Sequence, residues 1–265
     1  MPNVRPYLTN PDPDQPDLAL LASMRIRYQP IVHLAGTRPD YVEVLARAAG
    51  ENGQMHGAES FVNAMSLSSE VALSLTAAIM RRSLAEYRAY GFAKVGLVLA
   101  FNLPLDAMLH PELIAEIETL RAAAGLATEN ICFELTETSP VEDLSAAAAS
   151  IKALHAAGHG IALDDITPEM PYLEELMALP IRAIKFSHEL VIDQRSAPFI
   201  RAMSAQASAR GQDSIAEGIE TKAQLRAMCE AGVTHGQGYL FARPVPASEL
   251  ATTLSPCGNG LLSNL

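Results

Sequence analysis

Short apolar, β-type runs recur along this chain with helix-patterned segments between them. The runs fall near 26–34, 41–46, 95–101, 130–135, 160–163, 182–186, 213–216 and 233–235. The helical segments fall near 59–65, 70–90, 111–124, 141–157, 171–178, 196–210 and 221–231. Strands that are apolar on both faces must be covered on both faces, which calls for a parallel sheet clad in helices. Gly91, Gly125, Gly158, Gly211 and Gly232 stand where helices should end. Thr136-Glu137-Thr138 and Glu220-Thr221 stand where helices should start, with Thr221 as an N-cap. Eight strands in 265 residues favour closure into a barrel, a fold of about 250 residues. An open nucleotide-binding sheet is disfavoured, since no GxGxxG follows the first strand. The first two runs are joined only by a short turn around Gly36, so they must pair antiparallel. The expectation is a TIM-like (β/α)8 barrel over residues 21–265 with one antiparallel strand near the N-terminus. The Pro- and Asp-rich residues 1–20 read as a flexible arm or linker.

Composition narrows the chemistry. Apolar residues make up 49% of the chain, ample for a large core, and the net charge is −11. That charge argues against a nucleic-acid polymer as partner, which needs a basic surface. It permits a small anionic ligand, because bound divalent cations reverse the local sign. No apolar run is long enough to span a bilayer, and the N-terminus lacks the pattern of a signal peptide. Cys132, Cys229 and Cys257 lie far apart, and the reading is two buried thiols and one in the tail, consistent with a cytoplasmic protein. His155 and His159 have i,i+4 spacing across Gly158 and read as residues of a helix end.

The ends of the strands carry polar groups in an unusual series: Glu43, Asn102, Glu134, Asp164-Asp165, Lys185, Glu217 and Gln237. Reactive groups of α/β barrels sit at the carboxyl ends of the strands. Taken singly, each acid could be a helix cap or a solvated end. As a set, the carboxylate and amide oxygens of Glu43, Asn102, Glu134 and Asp164 suit magnesium or manganese. Adjacent acids such as Asp164 and Asp165 suit a two-metal site, and two metals serve in-line displacement at phosphorus. Lys185 supplies a positive charge for a developing oxyanion or an attacking water.

The order YQPIV, EVLAR, FN, FELTET, LDD, IK, AEGIET and QGYLFARPVP resembles the EAL domain family over about residues 25–250. Members of that family hydrolyse cyclic di-GMP to linear pGpG. The resemblance implies a phosphodiesterase that activates water with two ions, Mg2+ or Mn2+. It makes Glu43, Asn102, Glu134 and Asp164 ligands of one metal, with Asp164 bridging to a second beside Asp165 and Glu217. Lys185 would hold the nucleophilic water, with Gln237 next to it. Arg47 would grip a substrate phosphate, and Gln29 would lie near a guanine. Glu137 would brace the loop after Asp165, and Glu220 would support the pocket around Lys185. The resemblance leaves open a homodimer and an upstream regulatory partner.

Four departures from the family pattern stand out. The triplet is Glu43-Val44-Leu45, a mild change that keeps the ligand. After Asp164-Asp165 the chain runs Ile166-Thr167-Pro168-Glu169-Met170-Pro171-Tyr172, with prolines in place of glycines. Proline fixes φ and the lost glycines remove access to φ > 0, so this loop is expected to leave the family's path. Phe186-Ser187 follows Lys185, and Gly232-Val233-Thr234 precedes the final Gln-Gly, each losing an acid expected near the pocket. The leading reading is the enzyme. The alternative is a receptor that binds cyclic di-GMP and cleaves it slowly or not at all. A ligand-free scaffold is a third, since it gives no reason to keep the set of site residues.

Overall fold

The computed structural model describes residues 18–36, 39–50, 54–57, 59–65, 68–136 and 144–254. The chain enters through helix α1 (Leu18–Ser23) and strands β1 (Met24–His33), β2 (Pro39–Ala49) and β3 (Met55–His56). Helices α2 (Glu59–Met65) and α3 (Ser69–Ala89) lead to β4 (Val98–Pro104). Then come α4 (Leu105–Met108), α5 (Leu113–Ala124), β5 (Ile131–Thr136), α6 (Leu144–Ala156) and β6 (Gly160–Ile166). Beyond them lie α7 (Leu173–Met177), β7 (Ala183–Phe186), α8 (His188–Ile192), α9 (Ala197–Ala209), β8 (Asp213–Ala216), α10 (Lys222–Glu230), β9 (His235–Gly236) and α11 (Ala247–Leu254).

The sheet closes in the order β1-β9-β8-β7-β6-β5-β4-β2 and back to β1, while β3 only extends the edge of β2. β1 is antiparallel to both its neighbours, and the remaining pairs around the ring are parallel. This is the TIM-like barrel with one inverted strand that the short Gly36 turn demands. The boundary drawn at residue 20 cuts through α1, which begins at Leu18 and buries Leu20. Residues 1–17 lie outside the described residues.

Strand periodicity divides the apolar residues into two bodies. Outward-facing side chains form one large core with the helices. Inside the barrel a second, smaller cluster contains Ile31, Tyr41, Val98, Ala100, Cys132, Ala162, Ala183 and Ile215. Because side chains repeat every two residues, the next inward position up each strand is a polar one. Tyr41 is followed by Glu43, Ala100 by Asn102, Cys132 by Glu134, Ala162 by Asp164, Ala183 by Lys185 and Ile215 by Glu217. A dry floor of mostly small residues thus lies beneath one polar layer. Cys132 belongs to that floor, where burial pushes its thiol up to about 12. Cys229 corrects the expected pair of buried thiols: it lies on an exposed face of α10, and Cys257 is outside the described residues. Cys229 belongs to a helix in which Met228 is the buried residue.

The helix punctuation follows the sequence. Gly91, Gly125, Gly158, Gly211 and Gly232 all take positive φ. Thr221 caps α10 with a full capping box: Gln224 N donates to Thr221 Oγ1 (3.2 Å), and Thr221 N donates to Gln224 Oε1 (2.8 Å). The helix start expected at Thr136-Glu137-Thr138 continues into residues outside those described. Thr221→Ala should lower stability by about 1 kcal/mol. Urea denaturation would read this as an earlier midpoint with unchanged slope, and a midpoint equal to wild type would count against the cap.

Candidate metal and phosphate site

Each strand end delivers one side chain to the polar layer. Lys185 from β7 is buried to 1% exposure at its centre, and its Nζ meets Glu134 Oε1 at 3.0 Å, Asp164 Oδ1 at 2.8 Å and Glu217 Oε1 at 2.5 Å. The Asp164 contact is an ion pair off the hydrogen-bonding direction, for Oδ1 has no directed partner. On the opposite side of the layer Glu43 is held from two directions. Asn102 Nδ2 donates to its Oε1 (2.9 Å) and Gln237 Nε2 to its Oε2 (2.7 Å). Asn102 is therefore part of a strand, although the Leu-Pro that follows it reads as a turn.

Asp164 and Asp165 both reach the mouth because β6 bulges. Leu163 pairs with Ile184 and Ile166 with Phe186, so β6 takes one more residue than β7 over the same span. Asp165 absorbs the extra residue at a φ of 49°, a left-handed conformation that aspartate tolerates. Carboxylate oxygens of Asp164, Asp165 and Glu217 lie within 4.8 Å of one another.

The electrostatics of this layer are unbalanced. Four carboxylates, from Glu43, Glu134, Asp164 and Glu217, surround one ammonium. Burial, and then the neighbouring acids that offset the pull of Lys185, hold Glu134 well above the ordinary carboxylic range. Glu217 is raised to about 8 for the same reasons. Burial alone would lower Lys185, but Asp164, Glu134, Glu217 and Glu43 outweigh it and hold it well above its ordinary value. Asp165 is raised by burial and by Asp164. Glu134 Oε2 and Gln237 Oε1 are buried with no hydrogen-bond partner among the described residues. Surplus negative charge, orphaned oxygens and an all-oxygen donor set fit a hard divalent cation.

A cleft of about 310 Å³ opens above Glu43 and Glu217, lined also by Gln29, His188, Gly218, Glu220, Gln237, Gly238 and Tyr239. Two glycines shape it. Gly218, at a φ of 65°, has no room for a Cβ because the His188 ring packs against it. A Cβ on Gly238 would overlap the Ile219 backbone. His188 and Tyr239 are residues that sequence reasoning missed. The available signal was position: His188 lies three residues beyond Lys185, and Tyr239 two beyond Gln237.

The remaining sequence-derived residues are distributed as follows. Gln29 lies on β1 directly opposite Glu43 and donates weakly to the Ala242 carbonyl (3.4 Å). Arg47 shares the inward face of β2 with Glu43 but does not line the cleft. Burial lowers its guanidinium below the ordinary value against the pull of Glu43 and Tyr239, and Arg27 adds to the lowering. Glu220 is exposed at the rim, with its backbone N–H held by Gln224 Oε1 (3.0 Å). Glu137 is outside the described residues. Thr234 corrects one expectation. It stands at the base end of β9, bonded to Ser214 (Ser214 N to Thr234 Oγ1, 2.9 Å), so the acid missing there is not missing from the cleft. His159 pairs with Glu118 at 2.9 Å, well away from the polar layer.

Comparison with known proteins identifies the family and the fold. The chain is 31% identical over 152 residues to the cyclic di-GMP phosphodiesterase RocR of Pseudomonas aeruginosa, 56% of this chain and 39% of that protein. The curated relatives are matched over only 24% to 39% of their own length. Among solved structures, the EAL enzyme Bd1971 bound to cAMP and cyclic di-GMP superposes with a TM-score of 0.80 at 24% identity, covering 88% of this chain and 65% of that one. BlrP1 of Klebsiella pneumoniae, in a manganese and cyclic di-GMP complex, gives 0.73 at 26% identity, covering 84% and 56%. A profile of the EAL domain matches residues 18–244, and the chain belongs to the EAL domain family.

Proposed function

We propose that this protein is a metal-dependent phosphodiesterase that opens cyclic di-GMP to linear pGpG. The observation that carries this reading is the buried Lys185 set among Glu134, Asp164 and Glu217 at the mouth of an EAL-family barrel. In this reading Glu43, Asn102, Glu134 and Asp164 would hold one cation, and Asp164, Asp165 and Glu217 a second; the convergence of the last three supports it. Magnesium or manganese, when bound, places positive charge against the phosphate and lowers the pKa of water. Lys185 Nζ donates to the attacking water and holds it in line with phosphorus. The water oxygen bonds to phosphorus and sheds a proton to the carboxylate layer, the bond to the ribose 3′ oxygen breaks, and that oxygen takes up a proton from solvent and leaves as a hydroxyl. Gln237 fixes Glu43, Arg47 grips phosphate, Gln29 faces a guanine, and Glu137 and Glu220 support the surrounding loops. The same reading includes work in the cytoplasm, a homodimer and an upstream regulatory partner. Among the described residues no helix is long and apolar enough to cross a membrane.

A second reading, a receptor that binds the nucleotide without turnover, draws support from one segment. Thr167–Tyr172 carries Pro168 and Pro171, closes a turn by Met170 N to the Thr167 carbonyl (3.1 Å), and puts Tyr172 at a φ of 58°. A non-glycine residue held there costs about 1–3 kcal/mol. Product analysis with Mg2+ or Mn2+ separates the two readings. The enzyme yields pGpG, and Glu43→Gln lowers the rate by about 100-fold or more, as loss of a metal-oriented charge should. Tight binding without pGpG from wild type establishes the receptor instead.

The raised acids also predict how metal binding follows pH. Glu217 titrates near 8 in the fold and near an ordinary carboxylic value when unfolded, so between these pH values the native state holds a proton that the unfolded chain has released. Its contribution to metal-free stability is complete below the unfolded value, falls as pH rises toward 8, and is lost above it. Lys185 stays charged throughout this window. A cation competes with that proton, so Mn2+ should raise Tm more at pH 8.5 than at pH 6, each measured against EDTA. An equal or larger rise at pH 6 would refute the assignment.

A further inference from the structure

The inverted strand β1 carries a second feature of the mouth. Alternate residues Arg25, Arg27 and Gln29 share the face that β2 presents with Arg47, Leu45 and Glu43. Arg25 pairs directly with Arg47, and Arg27 with Leu45, which makes Arg47 its diagonal neighbour about 7–8 Å away. Like charges opposed across an antiparallel pair weaken it. Arg25 is engaged by backbone: its guanidinium donates to the carbonyls of Ala22 and Ser23 at the end of α1 and of Met24 at the start of β1. Arg27 and Arg47 are engaged less fully. Each is half-buried and donates one N–H to the carbonyl of its preceding residue, Ile26 and Ala46, both at 2.9 Å. Neither has a carboxylate within ion-pair distance among the described residues. Glu43, the acid on the same face, has both oxygens taken by Asn102 and Gln237.

We propose that Arg27 is a second phosphate-binding residue, which clamps with Arg47 the phosphate of the cyclic dinucleotide that is not cleaved. This rests on the cyclic dinucleotide reading above. Such a ligand has two phosphates on one ring, and only one can sit over the carboxylate layer. The other needs a cationic seat further out. β1 runs toward the base, so stepping back from Gln29 to Arg27 moves outward by one side-chain repeat, about 7 Å. Two guanidinium forks there supply paired N–H donors to one phosphate and have their mutual repulsion relieved by it.

The test compares cyclic di-GMP binding by wild type, Arg27→Gln and Arg27→Lys in Mn2+, by rapid filtration before turnover and at two salt concentrations. Arg27→Gln should weaken binding about tenfold or more, the size of a lost charged hydrogen bond, and should flatten the salt dependence. Arg27→Lys should lie between it and wild type. The rise in Tm given by Mn2+ should be the same in all three, since Arg27 does not touch the carboxylate layer. Wild-type affinity in Arg27→Gln overturns the proposal and leaves the dinucleotide reading intact. If Arg27→Gln does not fold, Arg27→Lys decides: undiminished affinity and salt dependence overturn the proposal, and a measurable loss of affinity with an unchanged Mn2+ shift supports it. Absence of binding by wild type overturns both.

Discussion

The site depends on one buried ammonium. Lys185 could not be buried without the acids around it, and those acids could not share one layer without Lys185. Removing one partner of a buried charge group typically costs about 3–5 kcal/mol, because the remaining charges are stranded. The group is also incomplete by design, since one ammonium leaves net negative charge and orphaned oxygens. Stability and chemistry therefore pull in different directions at the same atoms. The fold tolerates this because the floor below is apolar and the strands that carry the acids are paired on both sides, by parallel ladders at β5, β6 and β8 and by one parallel and one antiparallel ladder at β2.

The arithmetic of the pleat positions every part of the layer. One inward residue per strand goes to the floor and the next goes to the mouth, so a small apolar residue stands beneath most functional ones. At β6 the arithmetic is broken once. The bulge at Asp164-Asp165 adds a residue without disturbing the floor, and it gives one strand two carboxylates at the same height. In a regular strand these neighbours would face opposite sides of the sheet.

Much of this was legible in the chain. Apolar runs bounded by glycine located the strands, and the shortness of the Gly36 turn required the inverted pair. The spacing of Glu43, Asn102, Glu134, Lys185 and Glu217 after apolar runs located the layer. What escaped were features set by non-local contact. α8 is too short to announce itself by periodicity, so His188 was not placed against Gly218. The polar partner of Glu43 at Gln237 is 194 residues away and only the closure of the barrel joins them. Thr234 was placed near the cleft because it precedes Gln237 in sequence, yet a strand only a few residues long runs from base to mouth. Cys229 reads as a buried thiol from its residue type, whereas α10 keeps most of its surface in solvent.

The reversal of β1 also decides the side from which the chain arrives. In a regular (β/α)8 barrel the first strand begins at the base, far from the chemistry. Here Met24 pairs with Ala48 at the upper end of β2, and Arg82 bonds the carbonyls of Met24 and Leu21. Helix α1 therefore joins the barrel on the rim that carries the acids. Leu18 is thus separated only by one short helix and the first half of β1 from Gln29, the residue opposite Glu43.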